Sequence, residues 1–342
     1  MRRSVLIIGA GLMGALYDGP GDGKVLSHAH AFASSPDHRL LGFIDSDAQK
    51  ARQACGIWGG KPYADVHEAP KADIYSIAVP DRLHYEVLTE TLKRDPSLIL
   101  LEKPVATSHD ELDSLRLMAR QVRTPILVNH GRRFIEYYSY LRGKVVNGEY
   151  GQFIHGTGYY GKGILHNGSH MVDLLFYLFG RDVGAAASWP KREAADDGAL
   201  IGIEGILWGM DDHSPDDPSV AALLGVAGGR FALIPVDSGK VTIFEMDLLF
   251  EKKRVKLLDG GMKAEEYDLN ESSAYFGHRN YVRSSGTEMD LSESLNGAVR
   301  NITAHLDGDA PLLCPILDGM RTLETCLRIK DAYHGLGLGA PD

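Results

Sequence analysis

Only three cysteines occur in 342 residues: Cys55, Cys314 and Cys326. Their spacing fits no CxxC pair or zinc motif, and an odd number builds no disulfide framework. They are expected to be small buried residues in a reducing compartment. Positive charge is also scarce. There are 36 Lys and Arg against 46 Asp and Glu, a net charge of −10. This excludes general binding to nucleic acid or to an anionic membrane surface, which both need dense positive charge. Long apolar runs are missing too, and no stretch reaches the roughly 20 residues of a bilayer span. The opening MRRSVLIIGAG has too short an apolar run for a signal peptide and turns into glycines, not a cleavage site. We expect a cytoplasmic protein with no membrane or nucleic-acid partner.

What is present points to a globular α/β protein. Hydrophobic residues make up 44% of the chain, and a chain this long suits two cores. Buried-strand patterns fall at 5–8, 40–44, 73–79, 98–101 and 125–128. Helical patterns fall between them at 26–34, 48–55, 82–93 and 109–120. Strands alternating with helices imply a parallel sheet with right-handed crossovers. The pattern then changes. One apolar helix at 169–179 is followed by strand-like runs at 201–208, 220–226, 231–236, 241–249 and 254–258, separated by turn residues. These predict a mostly antiparallel sheet, open on one face. Two helices, 291–305 and 316–334, close the chain. The expected division is 1–128 and 129–342, with the last helix packing back on the first domain. The acidic segment Asp211 to Asp217 reads as a solvated hairpin connection.

Gly9-Ala10-Gly11-Leu12-Met13-Gly14 is GxGxxG, directly after a buried strand and opening a helical stretch. In that setting the motif predicts dinucleotide binding. The first glycine makes the turn, the second admits the pyrophosphate to the backbone, and the third lets helix pack on strand. Asp45 ends the second strand. A carboxylate there accepts ribose hydroxyls and repels a 2′-phosphate, which favours NAD over NADP. It stands 31 residues after Gly14, against about 20 in the usual fingerprint. The segment 17–24 (YDGPGDGK) reads as an insertion that accounts for the excess. The fourth strand ends in Glu102-Lys103-Pro104. A lysine at the carboxyl end of a parallel strand points into the ligand crevice and suits a proton donor or an oxygen clamp.

With these residues the chain resembles the Gfo/Idh/MocA (glucose–fructose oxidoreductase / inositol dehydrogenase) family. The likeness rests on 9–14, Asp45, Tyr63-Ala64-Asp65, 79–84 (VPDRLH), 102–104 (EKP), 129–134 (NHGRRF) and 168–173 (GSHMVD). It implies a Rossmann domain, a second domain with an open antiparallel sheet, and a substrate cleft between them. It also implies homodimers or homotetramers paired through those sheets. The activity implied is hydride transfer between NAD(P) and a secondary alcohol or ketone of a sugar, cyclitol or nucleotide sugar. Lys103 takes the family's catalytic-lysine role, with a Lys103–Pro104 bond that is often cis. His170 takes that of the second catalytic residue, since imidazole titrates near neutrality and relays the alcohol proton. The expected cofactor contacts are Gly9, Gly11, Leu12, Met13, Gly14, Asp45, Val79, Pro80, His84, Glu102 and Lys103. His84 alternatively caps the helix that follows it.

One departure stands out: His166 occupies the position, four before His170, where many family dehydrogenases carry aspartate. It is expected to share the proton relay or to contact substrate. Asn167, Tyr160 and Arg133 join Lys103, His166 and His170 as expected substrate contacts. His166, His170 and Asp173 have metal-ligand spacing, but Asn167 replaces the glutamate of HExxH and no third ligand is evident, so no metal is expected. His278, Arg279, Tyr281 and Arg283 form a polar cluster in a long irregular stretch with no assigned role. Two rival functions stay open. One is a non-catalytic dinucleotide sensor on the same fold; the other is a lyase or hydrolase using NAD transiently.

Overall fold

The computed structural model describes residues 2–180 and 201–336; the last residues of the expected second domain, 337–342, lie outside them. The chain folds as two units. One comprises Met1–Ile135 with Asp290–Glu324, and the other Glu136–Met289 with Thr325–Asp342.

The first unit is built on a six-stranded parallel sheet in the order β3-β2-β1-β4-β5-β6. Its strands are β1 (Arg3–Ile8), β2 (His38–Ile44), β3 (Lys61–Tyr63), β4 (Ile74–Ile77), β5 (Leu98–Leu101) and β6 (Ile126–Val128). Every residue of β4, β5 and β6 is buried, as the unbroken apolar runs require of strands covered on both faces. The helices are α1 (His28–Ser34), α2 (Ala48–Trp58), α3 (His84–Leu92) and α4 (His109–Ala119). Three start at side-chain caps: Ser27 accepts from the His30 N–H, Asp47 from Gln49 and Lys50, and Ser108 from Glu111. The strand order reverses between β1 and β4, and ligands of such sheets bind beyond the strand ends at that switch point.

The second unit carries α5 (Glu136–Val146), β7 (Phe153–Tyr160) and α6 (Ser169–Phe179). Seven further strands follow: β8 (Ile201–Ser214), β9 (Asp217–Val226), β10 (Gly229–Pro235), β11 (Glu245–Phe250), β12 (Lys253–Leu258), β13 (Lys263–Glu271) and β14 (Arg279–Glu288). They form one sheet, β14-β13-β12-β11-β7-β10-β9-β8. Every pairing is antiparallel except β7 with β10. Alternate residues of β10 and β11 are buried, the pattern of a sheet with one open face. Met171 to Leu178 of α6 are all buried. Of the stretch expected to be irregular, His278 precedes a strand and 279–283 instead open edge strand β14, where Tyr281 pairs with Leu269 and Arg279 with Glu271.

The chain then returns to the first unit through α7 (Ser292–Asp307) and the opening of α8 (Ile316–Gly335). Leu127 of β6 bridges Pro315 just before α8.

Candidate active site

The glycine loop follows β1 at the switch point. Gly9 has φ +95°, and a Cβ there would lie 2.4 Å from the Ala78 carbonyl oxygen. A Cβ on Gly14 would lie 1.8 Å from the Gly9 carbonyl oxygen. Both positions therefore admit only glycine, for reasons internal to the fold. Gly11 differs, because a Cβ on it would meet nothing within 4 Å. The space over Gly11 is open to a ligand, and the exposed Leu12 and Met13 flank it. These features fit a dinucleotide pyrophosphate. The following helix is only a π-helical turn, Leu12–Leu16, with Leu16 N–H bonded to the Gly11 carbonyl. After it the inserted segment loops out and is pinned by buried Asp18. That carboxylate accepts from the N–H groups of Leu26 and Ser27, from the Ser27 hydroxyl, and contacts His30. Burial raises the Asp18 pKa, but those bonds outweigh it and hold the group below its usual range.

Half-buried Asp45 lies at the tip of β2. One carboxylate oxygen accepts the Ala10 N–H at 2.8 Å and the other the Asp47 N–H at 2.8 Å. It thus ties the glycine loop to the second strand and keeps lone pairs for further donors.

Beyond β4 and β5 the expected contacts divide. Val79 and Lys103 are half-buried, Pro80 is exposed, and the Lys103–Pro104 peptide is cis. Glu102 and His84, expected at the cofactor, are enclosed by protein. His84 lies 2.6 Å from the Pro104 carbonyl and 2.8 Å from that of Val79, so it braces the loops after β4 and β5 against each other. Glu102 accepts from His28 Nε2 at 2.8 Å and Asn129 Nδ2 at 2.6 Å, both on one oxygen. The Lys103 N–H lies 3.3 Å from the other. His28 Nδ1 in turn meets the Ser76 hydroxyl at 2.6 Å. A wholly buried chain, Ser76–His28–Glu102–Asn129, therefore stands behind Lys103. Burial pushes the Glu102 pKa up, yet the bonds from His28 and Asn129 and the nearby Lys103 charge bring it below its ordinary value. The strand-end position and the Glu102-Lys103-Pro104 motif mark Lys103 in the sequence, but nothing in the local sequence marks His28 or Ser76.

In the second unit a π-helical turn, Gly163–Gly168, carries His166 and Asn167 and runs directly into α6. No polar side chain caps α6, since its start is a continuation of that turn. His166, Asn167 and His170 are half-buried, and Asp173 is enclosed. Asn167 donates to the Gly161 carbonyl at 3.0 Å. The carboxylates of the β8–β9 hairpin hold the turn. Asp217 accepts the N–H groups of Leu165 at 2.7 Å and His166 at 2.9 Å, while Asp212 accepts those of Lys162 and Ser238. Burial pushes the Asp217 pKa above its usual range. The solvated acidic connection is thus a correction: these aspartates are structural clamps, found only once the hairpin folds onto the turn.

Two expected substrate contacts are also corrected. Tyr160 is 0% exposed, and its hydroxyl both donates to the Val220 carbonyl and accepts the Val220 N–H. Arg133 is 2% exposed and bonds the Leu313 carbonyl and the Asp318 carboxylate within the first unit. Among the described residues, no group of three or more His, Cys, Asp or Glu is placed to hold a metal ion, and no helix is long and apolar enough to cross a membrane.

Residues 3–130 match the sequence profile described as an oxidoreductase family with an NAD-binding Rossmann fold. Glucose-6-phosphate 3-dehydrogenase of Bacillus subtilis (strain 168) is 24% identical over 203 residues, 53% of this chain and 55% of its own. The chain thus matches about half the length of that curated relative. The structure of UDP-N-acetylglucosamine 3-dehydrogenase from Acidithiobacillus ferrooxidans matches with a TM-score of 0.72 at 16% identity. That match covers 98% of this chain and 99% of the other. A 3-ketoreductase from Actinomadura kijaniata in complex with NADP matches with a TM-score of 0.70 at 14% identity, over 97% and 98% of the two chains. At such identities the structural likeness speaks for the fold. The likeness to the Gfo/Idh/MocA oxidoreductase family is thus carried by residues 3–130.

Proposed function

We propose that the protein is a nicotinamide-dependent dehydrogenase or reductase acting on a secondary alcohol or ketone of a sugar, cyclitol or nucleotide sugar, with NAD preferred over NADP. The observation that carries this reading is the first unit's strand-end cluster. The open space over Gly11, the carboxylate of Asp45 and the half-buried Lys103 follow β1, β2 and β5 of one sheet.

Gly9, Gly11, Leu12, Met13 and Gly14 hold the pyrophosphate, largely through backbone N–H groups, because a five-residue turn supplies little macrodipole. Asp45 receives the adenosine ribose and discriminates against a 2′-phosphate. When bound, the nicotinamide supplies the hydride acceptor or donor. Lys103 hydrogen-bonds the reacting oxygen and holds a proton for it. His170 takes up or returns the alcohol proton, and His166 and Asn167 contact substrate. Glu102 and His84 act behind these groups by holding Lys103 and the loop after β4. The same reading pairs copies of the chain through the open face of the second sheet, which light scattering tests.

The central test is Lys103→Ala with absorbance at the NADH band, against a panel of sugars and sugar phosphates. The variant is expected to lose turnover while still binding NADH. Full turnover refutes the mechanism, and product formation by the wild type with no net NADH favours a lyase or hydrolase.

A further inference from the structure

The β8–β9 hairpin does more than clamp the π-turn. Between the pairs Met210 with Ser219 and Ser214 with Asp217, three residues of β8 (211–213) face Pro218 alone. The strand therefore bulges by two residues, opposite a proline that has no N–H for the ladder. Bulges re-aim side chains and are over-represented beside active sites. This one turns Asp212 to the start of the π-turn and brings His213 onto His166. The two imidazole rings stack, with centroids 4.9 Å apart and planes 23° from parallel. The turn is shaped to the hairpin in return. Gly163 has φ +78°, and a Cβ on it would lie 2.1 Å from Asp217 Oδ2. Each Asp217 oxygen is taken up by one N–H of the turn. His213 is exposed, no role in hydride transfer requires it, and a plain ladder would serve the hairpin without it.

We propose that His213 is a substrate-binding residue that forms, with His166, a two-imidazole face for adjacent hydroxyls of a sugar ring. This rests on the sugar-dehydrogenase reading above. A neutral imidazole offers one N–H donor and one nitrogen acceptor, and a sugar hydroxyl is both donor and acceptor. Two stacked rings repeat that pair of functions side by side, as vicinal hydroxyls do. Asp217 and Asp212 are positioning residues for this face.

The test is titration calorimetry of the NADH-loaded protein with three probes: glucose 6-phosphate, UDP-N-acetylglucosamine and myo-inositol. For the probe bound tightest, His213→Ala is expected to raise Kd about 3- to 10-fold, the loss of one or two hydrogen bonds. NADH affinity is expected to stay unchanged, which also reports that the variant folds. His213→Gln, which keeps a donor and an acceptor, is expected to recover part of the loss. In a His166→Ala background the His213→Ala effect is expected to shrink, because both rings serve one group. An unchanged Kd in His213→Ala overturns this inference and leaves the dehydrogenase reading intact. Failure of the NADH-loaded wild type to bind any of the probes overturns the sugar reading and this inference with it.

Discussion

Replacing Glu102 probes whether the buried chain behind Lys103 is anchored by charge. In Glu102→Ala, His28 Nε2 and Asn129 Nδ2 lose the oxygen they share. Each stranded buried donor costs about 1–3 kcal/mol, so the pair costs roughly 4 kcal/mol. For domains of 150–250 residues each kcal/mol moves Tm by about 2–4 °C, which gives a fall of about 8–16 °C. Glu102→Gln separates charge from shape. It keeps one acceptor oxygen but weakens two charge-assisted bonds by about 1 kcal/mol each, a fall of about 4–8 °C. It also turns an amide toward the Lys103 N–H. Relief of the buried charge works the other way. The native carboxyl is nevertheless held below its ordinary 4.5, so its partners outweigh burial and the neutral side chain must be the worse one. The sign for pH follows from that depression. The folded-state pKa lies below the unfolded one, so the stabilisation is complete at neutral pH and is lost as pH falls through the folded value, below about 4.5. Thermal unfolding of wild type and Glu102→Gln from pH 7 down to 3.5 is the assay. The gap between them should close toward the acid end. A Gln variant as stable as wild type at pH 7, or a gap constant with pH, refutes the reasoning.

Asp45→Ala removes a fixed negative charge beside the ribose position and the acceptor of the Ala10 N–H. Both nicotinamide cofactors should bind more weakly, and the Kd ratio of NADPH to NADH should fall about tenfold; a constant ratio rejects the discriminating role. Gly14→Ala forces a Cβ against the Gly9 carbonyl oxygen. A loss of about 3 kcal/mol and of calorimetric NADH binding is expected, and normal binding would show that the loop yields. Asp18→Ala should speed hydrogen exchange at Leu26 and Ser27, whose N–H groups it holds; unaltered protection would mean that the insertion is fixed by something else.

The first unit was legible because its strands are uninterrupted apolar runs, a signal that survives without tertiary knowledge. Its misses were edges. β3 is three residues, KPY, with a proline in it. In the second unit α5 (EYYSYLRGKVV) is rich in tyrosine, which favours strands. β13 (KAEEYDLNE) and β14 (RNYVRSSGTE) carry polar residues on both faces and so lack the alternation that marks a strand. At the site, motif and strand-end position located the glycine loop, Asp45 and Lys103, and the inserted segment was recognisable from the spacing alone. Which polar residues turn inward was not. Glu102 meets His28 across 74 residues, Tyr160 meets Val220 across 60, and Arg133 meets Asp318 across 185. Such partners have no local trace, so a buried clamp and a ligand contact read alike until the fold pairs them.

The division of the chain bears on the order in which it is made. The first unit does not end at Ile135; it takes up the chain again at Asp290 and ends at Glu324. Arg133 waits for Leu313 and Asp318, and β6 waits for Pro315. The 189 residues from Ile135 to Glu324 occupy the ribosome for roughly 10–40 s at about 5–20 residues per second. For that interval the Rossmann sheet is a nascent structure lacking its last helices, while most of the second unit is already emerging. A stop codon after residue 135 would release the glycine loop and Lys103 intact in sequence, yet without α7 or the start of α8.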